Sequence, residues 1–437
     1  MLEQKVPERY SPGKEEKPSG HNTKEKPWEN RLVVRIDSRK GKNMKRWNEK
    51  YHDKHKQFSL YGQFTDPRNL HLAWEKVRAN KGCPGIDRVS IDQFEVGLQN
   101  NLTELHRLLK EKKYQPQPVE RVLIPKPNGT MRPLGIPTVR DRIVQQALKN
   151  VLEPIFEETF LPCSHGYRPG KNAHGALKKV SAYLRKGYNW IVDADIEGFF
   201  DHVDQKILMD LVCEKIADGS ILDLVEMFLG CGIMNNGAFE ESPEGTPQGG
   251  VISPLLANIY LNHFDRRMGE SGHILVRYAD DFLIFCKTEQ DAHKTLAEAG
   301  RVLETELHLS LSKSKTRVAN RFRDSYEFLG FTIKGMSRSP KPKSIEKFKT
   351  SIRRRTRRKQ PKKLTQIITE VNRVVSGWGN YFSISTGRKL FRELDHWIRL
   401  RIRWFKAKRC TRKVSYYTLP EETLRKLGLI SLCSLQY

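Results

Sequence analysis

Leu70, Ala73, Trp74 and Val77 recur at helical spacing behind Asp66, a good N-cap, and Pro67, suited to the first helical position. The pattern predicts a helix ending at Gly82. A second helix begins at Ser90, with Gln93 at the capping-box position, and carries the stripe Phe94, Leu98, Leu102, Leu105 and Leu109. Two apolar-containing runs within residues 114–139 flank Pro127-Asn128-Gly129 and predict a β-hairpin. Further strands are predicted at 190–196, 274–278 and 282–287, and helices at 141–157, 204–216, 255–268 and 290–306. This order has no regular βαβ rhythm, so the class is α+β rather than doubly wound α/β.

The pattern changes after Gly335. Residues 338–363 hold 13 Lys/Arg and one acidic residue, Glu346. An amphipathic stretch follows (Leu364, Ile367, Ile368, Val371, Val374, Val375), then Gly377–Phe382 and a basic aromatic helix from Trp397 to Lys408. Residues 338–437 are expected to form a separate, mostly helical, basic domain. At the other end, residues 1–56 hold 16 Lys/Arg, 9 Asp/Glu and few apolar side chains. Such a segment buries too little surface to offset its ordering entropy and is expected to be largely disordered.

Composition narrows the function. The 437 residues carry 78 Lys+Arg against 51 Asp+Glu, a formal charge of +27, which points to a polyanionic partner. No apolar run is long enough to span a membrane, and no secretory signal opens the chain. Seven cysteines without a C-x-x-C pair argue against a disulfide scaffold or zinc knuckle and fit a reducing cytoplasm.

Three carboxylates carry the candidate chemistry. Asp195 closes the apolar run from Trp190, while Asp280 and Asp281 sit between the runs His273–Tyr278 and Phe282–Lys287. The second arrangement reads as a hairpin with both acids at its turn. An isolated Asp-Asp is ordinarily a solvated turn. Apolar strands on both sides, and Asp195 at the end of another, argue for a site. Clustered acids repel one another, and a hard divalent cation with oxygen ligands resolves the repulsion. Two such ions can serve an in-line phosphoryl transfer.

Tyr278-Ala279-Asp280-Asp281 resembles the YxDD box of reverse transcriptases, and Asp195–Asp201 their first palm carboxylate motif. The wider resemblance is to the bacterial group II intron reverse transcriptase/maturase family, over about residues 58–405. It runs in order through Asn80–Asp87, Ile124–Pro137 with Asp141-Arg142, Ser164–Gly170, Gly245–Gly250 with Ser253–Asn258, and Phe328–Phe331, which is similar to the primer-grip strand.

The resemblance implies a right hand. Residues 57–160 would be fingers and 161–335 the palm. Residues 338–437 would be a thumb, or X domain, ending in a short DNA-binding tail from about residue 405. It implies an RNA-directed DNA polymerase that adds dNTPs to a primer 3′-hydroxyl, with maturase activity on a group II intron RNA. Asp195, Asp280 and Asp281 would hold two Mg²⁺ ions, with Mn²⁺ as a substitute. Lys126 and Arg132 would contact the triphosphate. Phe200 would exclude a 2′-hydroxyl, with neighbouring Phe199 in the core. Gln248 and Gly249 would lie by the templating pair, and Lys315 would protonate pyrophosphate. Arg168, Arg353, Arg354, Arg355, Arg357 and Arg358 would bind nucleic acid, although a structural ion pair suits Arg168 equally. Trp378, Tyr381, Phe382, Trp397 and Trp404 could stack on bases, but packing between helices is the default for such a stripe.

Partners would be intron RNA, RNA template, DNA primer and dNTPs, with no membrane and the oligomeric state open. The setting would be a bacterial cytoplasm, at the nucleoid when DNA-bound. No Cys/His cluster follows the thumb, so the endonuclease of many relatives is not expected and a primer would come from elsewhere. Gln205 replaces the family's usual His at a position expected to be peripheral. The alternatives are a free-standing relative with a host repair or defence role, and an RNA-binding splicing factor without polymerase activity.

Overall fold

The computed structural model describes residues 56–125, 131–235, 237–241, 244–246, 249–408 and 419–436. Nearly all of the expected N-terminal arm, Lys126 with the hairpin turn, and Gln248 lie outside them. The first helices are α1 (Tyr61–Phe64), α2 (Pro67–Ala79), α3 (Ile91–Val96) and α4 (Leu98–Lys110). Asp66 caps α2 by accepting from the Arg68 amide. The helix stops at Ala79, before Gly82, and Lys81 turns the chain at φ 46°. The Ser90/Gln93 capping box is present, but the single helix expected behind it breaks at Gly97 into α3 and α4.

Strands β1 (Val119–Pro125) and β2 (Met131–Ile136) form the expected hairpin, joined in one sheet by β4 (Ile233–Asn235) and β5 (Ala238–Glu240). Helices α5 (Val139–Glu157), α6 (Ala173–Arg185), α7 (Gln205–Cys213), α8 (Gly219–Leu229), α9 (Ser253–Glu270) and α10 (Glu289–Leu307) build the scaffold around a second sheet. That sheet contains β3 (Trp190–Asp195), β6 (Ile274–Tyr278), β7 (Asp281–Cys286) and β8 (Arg317–Asn320), in the order β6-β7-β3-β8. Its strands pair antiparallel throughout.

A third sheet follows: β9 (Tyr326–Phe328), β10 (Phe331–Lys334) and β11 (Ser337–Pro340). Phe328–Phe331, expected as a strand, is instead a tight turn between β9 and β10. Leu329 and Gly330 both have positive φ, 50° and 80°, the geometry that matches the twist of a two-residue hairpin.

Beyond it lie α11 (Pro342–Arg355), α12 (Leu364–Phe382), α13 (Lys389–Ala407) and α14 (Glu421–Lys426). These residues are not set apart from the rest. One core runs from Leu177, Val180 and Ile191 through Phe328 and Phe331 to Val371, Phe382, Ile398 and Leu432. Residues 419–436, expected as a DNA-binding tail, return to this core. Asp395 accepts from the Leu432 and Cys433 amides at 2.7 and 3.1 Å, and Leu419, Leu424 and Leu432 are buried. Among the described residues, no helix is long and apolar enough to cross a membrane.

Phe382 bridges the two halves of this core, with its ring centroid 4.8 Å from Phe331 and 4.7 Å from Trp378. Phe382→Ala is expected to cost about 3–5 kcal/mol. Denaturant melts followed at probes on both sides of Gly335 should shift together. A shift confined to the C-terminal side would show that the core is not energetically shared.

Candidate active site

Side chains alternate across a strand, and directly opposed residues of an antiparallel pair share a face. The register places Asp195 opposite Asp281, Asp193 opposite Leu283 and Ile191 opposite Phe285. On the other side of β7, Tyr278 opposes Asp281 and Val276 opposes Leu283. One face of the sheet therefore begins as hydrophobic core, with Ile191, Val276, Leu283 and Phe285, and ends in Asp193, Asp195 and Asp281. Asp280 lies in the two-residue turn between β6 and β7. The three predicted acids are thus assembled at one end of one sheet.

The turn is held by residues to which the sequence assigns no role. Ala279, its first central residue, has φ 58°, a position that favours glycine. Its carbonyl accepts from Arg277 Nη1 at 3.0 Å. Arg277 is fully buried on the opposite sheet face and forms a forked pair with Asp265 of α9 at 2.7 and 2.6 Å. Asn258 of α9 donates to the Gly166 carbonyl at 2.9 Å. A Cβ on Gly166 would lie 2.5 Å from the Ala279 amide nitrogen, so only glycine allows this segment against the turn. The available signal was a charged residue inside an apolar strand and another on the buried side of a helix.

Electrostatics match the crowding. Burial, then Asp193, Asp195 and Asp280, push the Asp281 carboxyl up to about 8. Burial also raises Asp280, with Asp195 adding to the shift while Lys315 and Arg132 oppose it. Lys315 places Nζ 2.5 Å from Asp195 Oδ2, and that contact raises the ammonium pKa. Asp193 is buried and paired with Arg317 at 3.2 Å. Among the described residues, no three His, Cys, Asp or Glu side chains are already gathered into a coordination sphere. The donor chemistry still fits a hard divalent cation, because hard carboxylate oxygens that repel one another are what such an ion neutralises.

The other predicted residues fall into distinct places. Arg132, on β2, is close enough for its charge to act on Asp280 and on the Tyr167 phenol. Phe199 is buried, while Phe200 is half-buried and meets it edge-on at 5.2 Å. Gly249 has φ 115°, and a Cβ there would lie 2.2 Å from the Gly135 carbonyl of β2. Its loop is latched: Thr246 donates to the Phe200 carbonyl at 2.8 Å, and Gln145 accepts from the Val251 amide at 2.7 Å. Gln205 donates to the Gly245 carbonyl at 3.0 Å. It therefore braces the loop rather than standing at the periphery.

Arg168 is corrected as a nucleic-acid contact. It is buried, paired with Glu157 at 2.7 Å, and donates to the Leu161 and Ser164 carbonyls. Of the arginine run, Arg353 pairs with Glu346 and lies over Trp397, and Arg355 folds back onto Ser351 at 2.6 Å. Arg354, Arg357 and Arg358 are exposed, the last two beyond the end of α11. Trp378, Tyr381 and Phe382 pack against Phe331, Phe348 and Phe391.

The sheet with its acid end and the helices behind it coincide with two known families. The reverse transcriptase (RNA-dependent DNA polymerase) family matches residues 124–333, and the group II intron maturase-specific domain matches 345–419. Protein YkfC of Escherichia coli (strain K12) is 35% identical over 310 residues, 62% of this chain and 81% of that protein. Group II intron-encoded protein LtrA of Lactococcus lactis subsp. cremoris is 39% identical over 210 residues, 47% of this chain and 34% of that protein. The chain thus spans most of the first relative and about a third of the second. One chain of a Cas6-RT-Cas1–Cas2 complex overlaps 57% of this chain and 43% of its own length, at 25% identity and a TM-score of 0.36. The chain belongs to the group II intron-encoded reverse transcriptase/maturase family, with the right-hand polymerase fold, an RNA-directed DNA polymerase domain and a maturase domain.

Two outcomes test the site. Between about pH 4 and 8 the folded chain retains a proton on Asp281 that the unfolded chain loses, so rising pH destabilises the metal-free protein. Asp281→Asn should therefore melt higher than wild type near pH 8 in EDTA, with the difference shrinking towards pH 4. A constant difference would contradict the raised pKa. Asp265→Asn leaves half of a buried pair and should cost about 3–5 kcal/mol. It should also lower extension activity in the fraction that remains folded, which calorimetry and single-turnover assays would separate.

Proposed function

We propose that Asp195, Asp280 and Asp281 are the polymerisation centre for template-directed addition of a dNTP to a primer 3′-hydroxyl. The observation that supports this reading most is the register of Asp195 against Asp281, with Asp280 in the adjoining turn. Reverse transcriptases use divalent metal ions. The three carboxylates would hold two Mg²⁺, with Mn²⁺ as a substitute, and the ions when bound supply activation of the 3′-hydroxyl and neutralisation of triphosphate charge.

The chain's own residues do the rest. Arg132 on β2, with Lys126 from the same motif, attracts and orients the triphosphate. Phe200 closes the space beside the sugar and selects against a 2′-hydroxyl sterically. Gly249 lines the templating pair beside the segments that Gln145 and Gln205 brace, and Gln248 shares that role. Lys315 Nζ leaves Asp195 and donates its proton to the departing pyrophosphate. The exposed Arg354, Arg357 and Arg358 serve RNA phosphates. The partners are RNA template, DNA primer, dNTPs and a group II intron RNA whose splicing and mobility the maturase domain assists. Binding to DNA brings the protein to the nucleoid.

Extension of a DNA primer on an RNA template, with dNTPs and Mg²⁺, tests the assignment. Wild type should extend, and Asp280→Ala should not, while its affinity for intron RNA stays within about threefold of wild type. Equal loss of extension and RNA affinity, or persistent extension by Asp280→Ala, would overturn it.

A further inference from the structure

The end of the acid-bearing sheet remote from the acids is absorbed by none of the roles above. β3 runs from Trp190 to Asp195, so its two ends lie about 17 Å apart. Three segments converge at the Trp190 end: the exit of α6 at Arg185, the turn between β8 and β9, and the turn between β10 and β11. Hydrogen bonds tie them together. Arg321 donates from its amide to the Asn189 carbonyl at 3.0 Å and from its guanidinium to the Leu184 carbonyl. Its own carbonyl accepts from the Gly335 amide at 2.8 Å. Within the β8–β9 turn, the Asn320 side chain accepts from the Phe322 amide at 3.0 Å, and Asp324 accepts from the Asn320 amide at 2.8 Å.

This bonding fixes the backbone and leaves the Phe322 ring without a packing role. The ring is 62% exposed, with the Arg321 guanidinium 4.5 Å from its centroid, and Met336 in the adjoining turn is exposed as well. The charge here is also uncompensated. Arg321 and Arg338 give their hydrogen bonds to neutral acceptors, the Leu184 carbonyl and the Ser181 hydroxyl. Burial, then the approach of Arg185, lowers the Arg338 guanidinium pKa. Arg185, Lys186, Arg323 and Lys334 are exposed, and among the described residues none of these cations pairs with a carboxylate.

We infer that this end of the sheet is a second nucleic-acid surface, which takes unpaired nucleotides of an RNA, with a base against Phe322 and the flanking phosphates on the surrounding cations. Cations without acids of their own are complemented by a polyanion, and an exposed ring backed by a guanidinium is complemented by the flat face of a base. Paired bases offer no free face, so the occupant is a loop or single strand and not a template–primer duplex. RNA is the occupant because the surface adjoins the maturase-specific domain: the Arg338 amide of β11 donates to Thr386 Oγ1 at 2.7 Å. The inference needs neither the acids nor their chemistry.

Photocrosslinking reads the surface directly. The full chain, with unlabelled template–primer duplex in excess, is irradiated with a single-stranded RNA of about 12 nucleotides carrying 4-thiouridine, and the crosslinked peptides are mapped. Crosslinks should fall on the turn bearing Phe322 or the turn bearing Met336. Phe322→Ala should lower affinity at this site about tenfold, read as crosslink yield against RNA concentration, and Phe322→Trp should restore it. Arg323→Glu with Lys334→Glu should also weaken binding and make its log–log salt dependence shallower by roughly one. All three side chains are exposed, so no packed contact is lost. Crosslinks confined to other parts of the chain, or yields unchanged in these variants, would overturn the surface. Tighter binding of the same sequence as DNA would rule out RNA as its occupant. Phe322-dependent capture of polyglutamate in place of RNA would give the face to an acidic protein and sink the inference.

Primer extension on a short RNA template separates this surface from the polymerase reading. Phe322→Ala should extend within about twofold of wild type. A loss of extension matching the loss of RNA affinity would place the ring in the polymerase cleft and defeat the inference. Crosslinks of the expected pattern without extension by wild type would support the surface and count against the polymerase reading.

Discussion

The acid turn depends on a charge pair withdrawn from water. Arg277 and Asp265 are both essentially inaccessible, and removing either ion from solvent is costly unless its hydrogen bonds are replaced. Here they are. The guanidinium donates to both oxygens of Asp265, to Asn258 and to the Ala279 carbonyl. The last of these bonds reaches across to the turn and restrains Ala279 in a backbone conformation that alanine does not prefer. A hydrophobic pair of the same volume could stabilise the core as well, but it would give the turn no directed donor. The pair is better understood as a device for geometry than for stability.

Above that support, the sheet face changes from oil to acid within a few residues. Ile191, Leu283 and Phe285 fasten β3 and β7 to the core, and the same strands deliver Asp193, Asp195 and Asp281 to a common end. Burial, and after it the neighbouring carboxylates, raise the pKa of Asp281, which works against folding at neutral pH. Packing beneath the strands opposes that cost. Lys315 and Arg317 offset part of it by pairing with Asp195 and Asp193. A site built in this way is poised for a cation, because a bound cation relieves the repulsion that folding has concentrated.

The surrounding elements are mechanically joined to this end of the sheet. The segment bearing Gly249 touches β2 through Gly135 and is latched to the Phe200 carbonyl through Thr246, so it ties the β1–β2 hairpin to the residues that follow β3. The C-terminal helices share the core beneath the acid-bearing sheet through Phe331 and Phe382.

Much of this was legible from local patterns. The capping box at Ser90, the alternation around β1 and β2, and the apolar runs of β3, β6 and β7 each arise from contacts within a few residues, where spacing is a direct physical signal. The motif order around Asp195 and Tyr278-Ala279-Asp280-Asp281 likewise identified the acids and the family. Other features depend on partners distant in the chain. The pairing of Arg277 with Asp265, the contact of Gly166 with Ala279, the brace of Gln205 on Gly245 and the burial of Arg168 have no signature in sequence, because each is defined by what folding places beside it. The break at Gly97 and the turn at Leu329-Gly330 departed from expectation because a glycine in each punctuates the chain locally, against the apolar stripe in one case and the resemblance in the other. Local spacing and residue chemistry by themselves determined most of the elements, and the ordered motifs, by resemblance, pointed to the family and the candidate acids. Only the tertiary structure decided which side chains hold the acid turn, which arginines face solvent, and that the C-terminal helices share the core of the acid-bearing sheet, because those outcomes depend on long-range register and burial.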